Sequence, residues 1–167
     1  MPIPSRRLPK PAGGYVDRFP TSLTLTVNSY YSRPLDTPNQ VRVALEAEAV
    51  LGILSLCDAG QIELISSEAL VYETEQNPLP IRREHGYSVL AKAKTTVNVT
   101  ASVKERASQF LQHGVKPLDA VHLALAEASE ADYFCPCDDQ LARKARRIKG
   151  LPVKVISPLD LIQEIEK

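Results

Sequence analysis

The chain has 167 residues, one domain's worth, and at that length it can bury about 70% of its unfolded surface without a disulfide or a metal to staple it. Hydrophobic residues at 44% and charged residues at 24% are ordinary for a globular protein, and no apolar run approaches the roughly 18 residues a membrane-spanning helix needs. Lys and Arg number 20 against 20 Asp and Glu, which argues against a basic coat that holds nucleic acid by counterion release alone, and three Phe, six Tyr and no Trp make a stacking platform for single strands a poor expectation.

Residues 1–22 carry five prolines and four basic residues, and the opening MPIPSRRLPKPAGG has no apolar core of the kind a secretory signal needs. Prolines fix φ and remove donors, so this stretch reads as an extended tail, with the domain occupying 23–167. Three cysteines, Cys57, Cys135 and Cys137, make no disulfide framework, and reduced thiols in a cytoplasm are the simpler expectation. Ser22 to Asn28 alternates polar and apolar residues and predicts a strand. A proline-punctuated loop, Arg33-Pro34-Leu35-Asp36-Thr37-Pro38, leads to a helix over Val41 to Asp58, with Gly60 just past its end.

The spacing then predicts a strand at Ile62–Ile65, a helix capped by Ser66 or Ser67 and stopped at Asn77-Pro78, and a helical stretch from Pro80 to about Lys94. Thr96–Val99 is β-branched and suits a strand. Thr100 can cap a helix that ends at Gly114, and Pro117 sits in the first turn of a helix over Leu118–Glu130. Asp132–Cys135 reads as a buried strand, Asp138 or Asp139 opens a helix rich in Arg and Lys toward its end, Val153–Ile156 is a fifth strand, and Ser157-Pro158 opens the last helix. Strands alternating with helices predict an α/β domain, with four or five mostly parallel strands covered on both faces.

In such sheets ligands bind beyond the carboxyl ends of the strands. The polar residues just past those ends are Asn28, then Glu68, Glu73 and Glu75, then Pro136-Cys137-Asp138-Asp139, with Asp119 in the first turn of a helix. Carboxylates that converge repel one another unless a divalent cation neutralises them, and hard oxygen ligands select Mg²⁺ or Mn²⁺. Each acid also has a plain structural role. Asp138 suits an N-cap, and Asp119 suits the positive end of a helix dipole. Glu73 is a bare acid beside Leu70, Val71 and Tyr72, which suggests a largely buried helix. His122, three residues after Asp119, reads as a satisfied, partly buried histidine, Cys135 as core and Cys137 as turn packing. The Arg143–Lys149 cluster reads as a solvated helix end that could hold phosphates if the acidic pocket is real, with Arg143, Lys144 and Arg147 as candidates and Arg82 and Arg83 as weaker ones.

The run Leu118-Asp119-Ala120-Val121-His122-Leu123-Ala124, followed by Ala131-Asp132-Tyr133-Phe134 and Cys137-Asp138-Asp139-Gln140-Leu141, resembles the PIN-domain family, the nuclease fold of VapC-type toxins. Weaker anchors are Ser32–Asp36, Leu45–Ala49 and Ser66–Glu73, so the likeness covers roughly Leu25 to Ile165. It implies a three-layer α/β/α domain, a site of four acids around one or two Mg²⁺ or Mn²⁺ ions, and cleavage of RNA. Glu73 matches the second acid, Asp119 the third and Asp138 the fourth, with Asp139 as an auxiliary metal ligand. The first acid should end the first strand, where this chain reads Leu25-Thr26-Val27-Asn28. Valine cannot ligate a hard cation. Losing a residue that touches the metal should cost at least the roughly 10–100-fold typical of changes to the groups that only orient its ligands.

The resemblance therefore implies a metal-dependent endoribonuclease, leaning to an active enzyme that the missing first aspartate would impair. Members often pair as homodimers, and VapC-type toxins are restrained by an antitoxin protein. The alternative is an inactive PIN-fold module that binds RNA or protein. A response-regulator-like switch fits the fold class but lacks the acidic pair expected after the first strand.

Overall fold

The computed structural model describes residues 21–25 and 41–165. The proline-rich residues before Thr21, Val27 and Asn28 after the first strand, and the Arg33–Asp36 loop lie outside the described residues. The first strand, β1 (Thr21–Leu25), begins two residues inside the span read as tail. Helix α1 (Val41–Asp58), β2 (Ile62–Ser67), α2 (Glu68–Gln76), α3 (Pro80–Leu90) and β3 (Thr95–Val97) follow. The second half is α4 (Ala101–Leu111), α5 (Pro117–Ala128), β4 (Tyr133–Cys135), α6 (Asp139–Arg146), β5 (Lys154–Val155) and α7 (Pro158–Ile165).

All five strands are parallel, in the order β3-β2-β1-β4-β5. Alternation along each strand sends its side chains to two different cores. Ile65, Phe134 and Val155 join the cluster built on Val103, Phe110 and Leu123 from α4 and α5. Leu23, Leu64 and Cys135 join Val50, Ile53 and Leu161 from α1 and α7. The result is a three-layer α/β/α domain, as the alternation of elements predicts.

Local chemistry accounts for the boundaries. The Ser67 hydroxyl accepts the Leu70 N–H at 3.1 Å and starts α2, and the Thr100 hydroxyl does the same for Val103 in α4. Gly114, at φ +80°, ends the turn after α4 in a conformation that strains any residue with a Cβ. The α2 helix is less buried than its sequence suggests. Leu70 is buried, but Tyr72 is 58% exposed.

At the start of the sheet, Asp132 clasps β1. Its carboxylate accepts the Ser22 N–H at 2.9 Å and the Ser22 hydroxyl at 3.1 Å, while its own N–H donates to the Ser22 carbonyl at 3.0 Å. Strand β1 connects toward β2 and strand β4 toward β5, so the chain leaves these two central neighbours in opposite directions. In parallel sheets such a switch point, beyond the carboxyl ends of the two strands, is where ligands bind.

Candidate metal and RNA site

Two helix starts meet past the carboxyl end of β4. Asp138 is the N-cap of α6, and its Oδ1 accepts the N–H groups of Gln140 at 2.9 Å and Leu141 at 3.3 Å. Asp119 lies in the first turn of α5, behind Pro117 at the first helical position. The two carboxylates line one cleft with Val115, Lys116, Gln140, Leu141 and Lys144. Burial raises the pKa of Asp119, and the charges of Asp138 and Glu73 raise it further, while His122 and Lys116 oppose the rise. The shift is first of all a sign that the Asp119 carboxyl stands in a partly dry place.

Glu73 stands on α2 and reaches toward α5, where its Oε1 lies 2.6 Å from His122 Nε2. His122 is 5% exposed and Glu73 side-chain atoms 18%, so the pair is largely shielded. His122 and Asp119 share a face of α5 at a spacing of three, which is how Asp119 feels the pair. Behind His122 is a cavity of about 10 Å³, which Thr24, Ser66 and Phe134 also line. The Thr24 and Ser66 hydroxyls are buried without a hydrogen-bond partner among the described residues, and the space holds about one water molecule, far too little for a nucleotide.

Asp139 is engaged elsewhere. Arg42, on the first turn of α1, spans both of its carboxylate oxygens with a forked pair of hydrogen bonds, which lowers the Asp139 pKa. Arg42 Nε also donates to Glu46 at 2.8 Å, and Glu46 is 3% exposed. Of the basic candidates, Lys144 lines the cleft, with its ammonium 2.9 Å from the Gly114 carbonyl. Arg143 and Arg147 are exposed on α6 and at its C-cap.

Sequence reasoning missed Arg42 and Lys116. Arg42 is 97 residues from Asp139, and an Arg four residues before a Glu reads as an ordinary helix pair. The one available signal for Lys116 was its place just before Pro117 and Asp119. Among the described residues no group of three His, Cys, Asp or Glu side chains has metal-binding geometry.

The PIN-domain family profile matches residues 29–147. The chain belongs to the PIN-domain family. PIN domains form a nuclease family whose members generally use divalent metal ions. The match begins beyond Val27, so it leaves the first acid position untouched. Ten chains of known structure match this PIN domain. Among them is a crystal structure of PAE2754 from Pyrobaculum aerophilum, at 15% identity and a TM-score of 0.49, with 87% of this chain and 96% of that one covered. A search of the curated proteins finds no match.

The donors present suit a hard divalent cation in a particular way. Mg²⁺ keeps several waters and needs only one or two protein carboxylates beside them. Asp119 and the Oδ2 oxygen of Asp138 supply that pair in one cleft, and Glu73 adds its charge from behind His122. No helix among the described residues is long and apolar enough to cross a membrane.

Proposed function

We propose that this PIN domain is an endoribonuclease dependent on Mg²⁺ or Mn²⁺, with Asp119 and Asp138 as the acids that hold the metal and Glu73 as a catalytic acid that adds its charge from α2. The observation that carries the reading is geometric: Asp119 and Asp138, delivered by two helix starts, line one cleft, where a divalent cation would offset both charges. When bound, the ion activates water and offsets charge that develops on the phosphate. Asp119 and Asp138 hold it from two helix starts, and His122 keeps Glu73 in one orientation. Lys116 and Lys144, on the rim of the same cleft, place the phosphate of an incoming strand.

The same reading extends to partners and place. The anchors that resemble VapC-type toxins support a cytoplasmic toxin restrained by an antitoxin and working as a homodimer. Val41, Tyr72 and Ile81 give it apolar surface to offer, at 78%, 58% and 70% exposure.

The test is RNA cleavage across an Mn²⁺ titration. Cleavage should require the metal and disappear in Glu73→Gln, Asp119→Asn and Asp138→Asn. RNA binding without cleavage at any Mn²⁺ concentration, unchanged by these substitutions, would support the second reading, an inactive PIN-fold module. Val27 at the first acid position and the engagement of Asp139 by Arg42 both favour that alternative.

A further inference from the structure

We propose that Arg42 is a phosphate-binding residue that Asp139 occupies until RNA arrives, so that a phosphodiester displaces Asp139 from the guanidinium. The inference rests on the RNA-binding part of the reading above and adds a residue outside the acidic cluster. The arrangement has three parts. Glu46 is buried and takes Arg42 Nε, which fixes the base of the guanidinium. That leaves Nη1 and Nη2 as the working edge, and both are on Asp139. The planar fork that fits a carboxylate bidentately fits a phosphate in the same way.

The energetics favour exchange. Arg42 is 55% exposed and Asp139 53%, and an exposed pair of this kind contributes little, so a multiply anchored polyanion can displace it. The position suits the substrate. Asp139 is the residue next to Asp138, whose carboxylate lines the cleft, so Arg42 lies one residue from the cleft wall. The exchange also gives Asp139 a second role. Once released, its carboxylate stands free at the start of α6, next to Asp138.

The experiment is fluorescence anisotropy of the full chain with a short, labelled single-stranded RNA in EDTA, where nothing is cut. Asp139→Asn should tighten binding about two- to fivefold, the worth of a surface pair removed as competitor. Arg42→Ala should weaken it and reduce the slope of log affinity against log salt by about 0.7, one phosphate contact on a single strand. Arg42→Lys should keep that slope while binding less tightly, because the charge survives and the fork does not.

Removing any acid also raises affinity for a polyanion, so the deciding measurement is the double variant. In an Arg42→Ala background, Asp139→Asn should gain clearly less than it does in the wild type, only the general charge effect. An equal gain in both backgrounds would overturn the exchange and leave only a long-range charge effect. So would an Arg42→Lys variant indistinguishable from the wild type. If the wild type binds no RNA, this inference and the ribonuclease reading fall together. Cleavage with wild-type salt dependence in Arg42→Ala would sink this inference alone.

Discussion

Asp138 carries two duties that one substitution can separate. Its Oδ1 caps α6 through Gln140 and Leu141, and its charge faces Asp119 across the cleft. Asp138→Ala removes both. Loss of the cap should cost about 1 kcal/mol, which for a domain of this size lowers Tm by roughly 2–4 °C. Asp138→Asn keeps an oxygen for the two N–H groups and removes only the charge. It gives up about 0.3–1 kcal/mol of dipole interaction and relieves the repulsion on Asp119, so in EDTA its Tm should stay within about 2 °C of the wild type. The two variants should behave alike toward Mn²⁺. An ion at 100 times its Kd stabilises a protein by about 2.7 kcal/mol, so the wild type should gain roughly 5–10 °C and both variants should gain little. Differential scanning calorimetry with EDTA and with Mn²⁺ reads all of this. Equal destabilisation of both variants in EDTA would refute the capping account, and full protection of Asp138→Asn by Mn²⁺ would refute the metal-holding role.

The raised pKa of Asp119 fixes the sign of a pH effect. A carboxyl with a folded pKa above its unfolded value stabilises the fold below the unfolded pKa, near 3.9, and that contribution is lost as pH rises through the folded pKa. The stability of Asp119→Asn relative to the wild type should therefore increase between acid and neutral pH in urea titrations without metal, and a difference that stays flat would contradict the burial argument. Arg42→Ala should cost about 1–2 kcal/mol, since buried Glu46 loses a charged donor while the exposed Asp139 bond adds little. Urea unfolding checks this, and a cost near zero would mean that Glu46 is held by its other contacts. Phe110, fully buried in the α4–α5 core with the Arg106 guanidinium 4.5 Å above its ring, should cost about 3–5 kcal/mol as Phe110→Ala, and a loss below 1 kcal/mol would show that this core can collapse around the gap.

What was legible in the chain was local. Caps were legible because a short polar side chain can reach an N–H two or three residues ahead: spacing pointed to Thr100 and narrowed the others to Ser66 or Ser67 and Asp138 or Asp139, of which the fold uses Ser67 and Asp138. Pro117 marks the first position of α5 for a similar reason. The α/β alternation gave the layers because strands buried on both faces leave a continuous apolar signature, as in Asp132–Cys135. The strand order was not legible, since β1 pairs with β4 across more than a hundred residues. Distance along the chain hid Arg42 as well, because only the folded sheet brings α1 and α6 together. The largely buried helix expected around Glu73 proved amphipathic, because Tyr72 falls on the outer side of α2 while Leu70 and Thr74 face inward. For the acids, the residues offered a motif. Asp119 and Asp138 meet only because β4 delivers α6 to the place where α5 begins.

The central place of β1 has a consequence for how the molecule comes into being. The first strand made must wait for a neighbour 110 positions later, so half its ladder stays open through most of synthesis. A topology built on such distant pairings folds slowly and has a high contact order. The cleft lacks its second wall until α6 has left the ribosome, so a nascent or truncated chain that ends before Asp138 lacks both the cap and the acid. If the molecule cuts RNA, its own messenger and the ribosome translating it are out of danger until the chain is nearly finished.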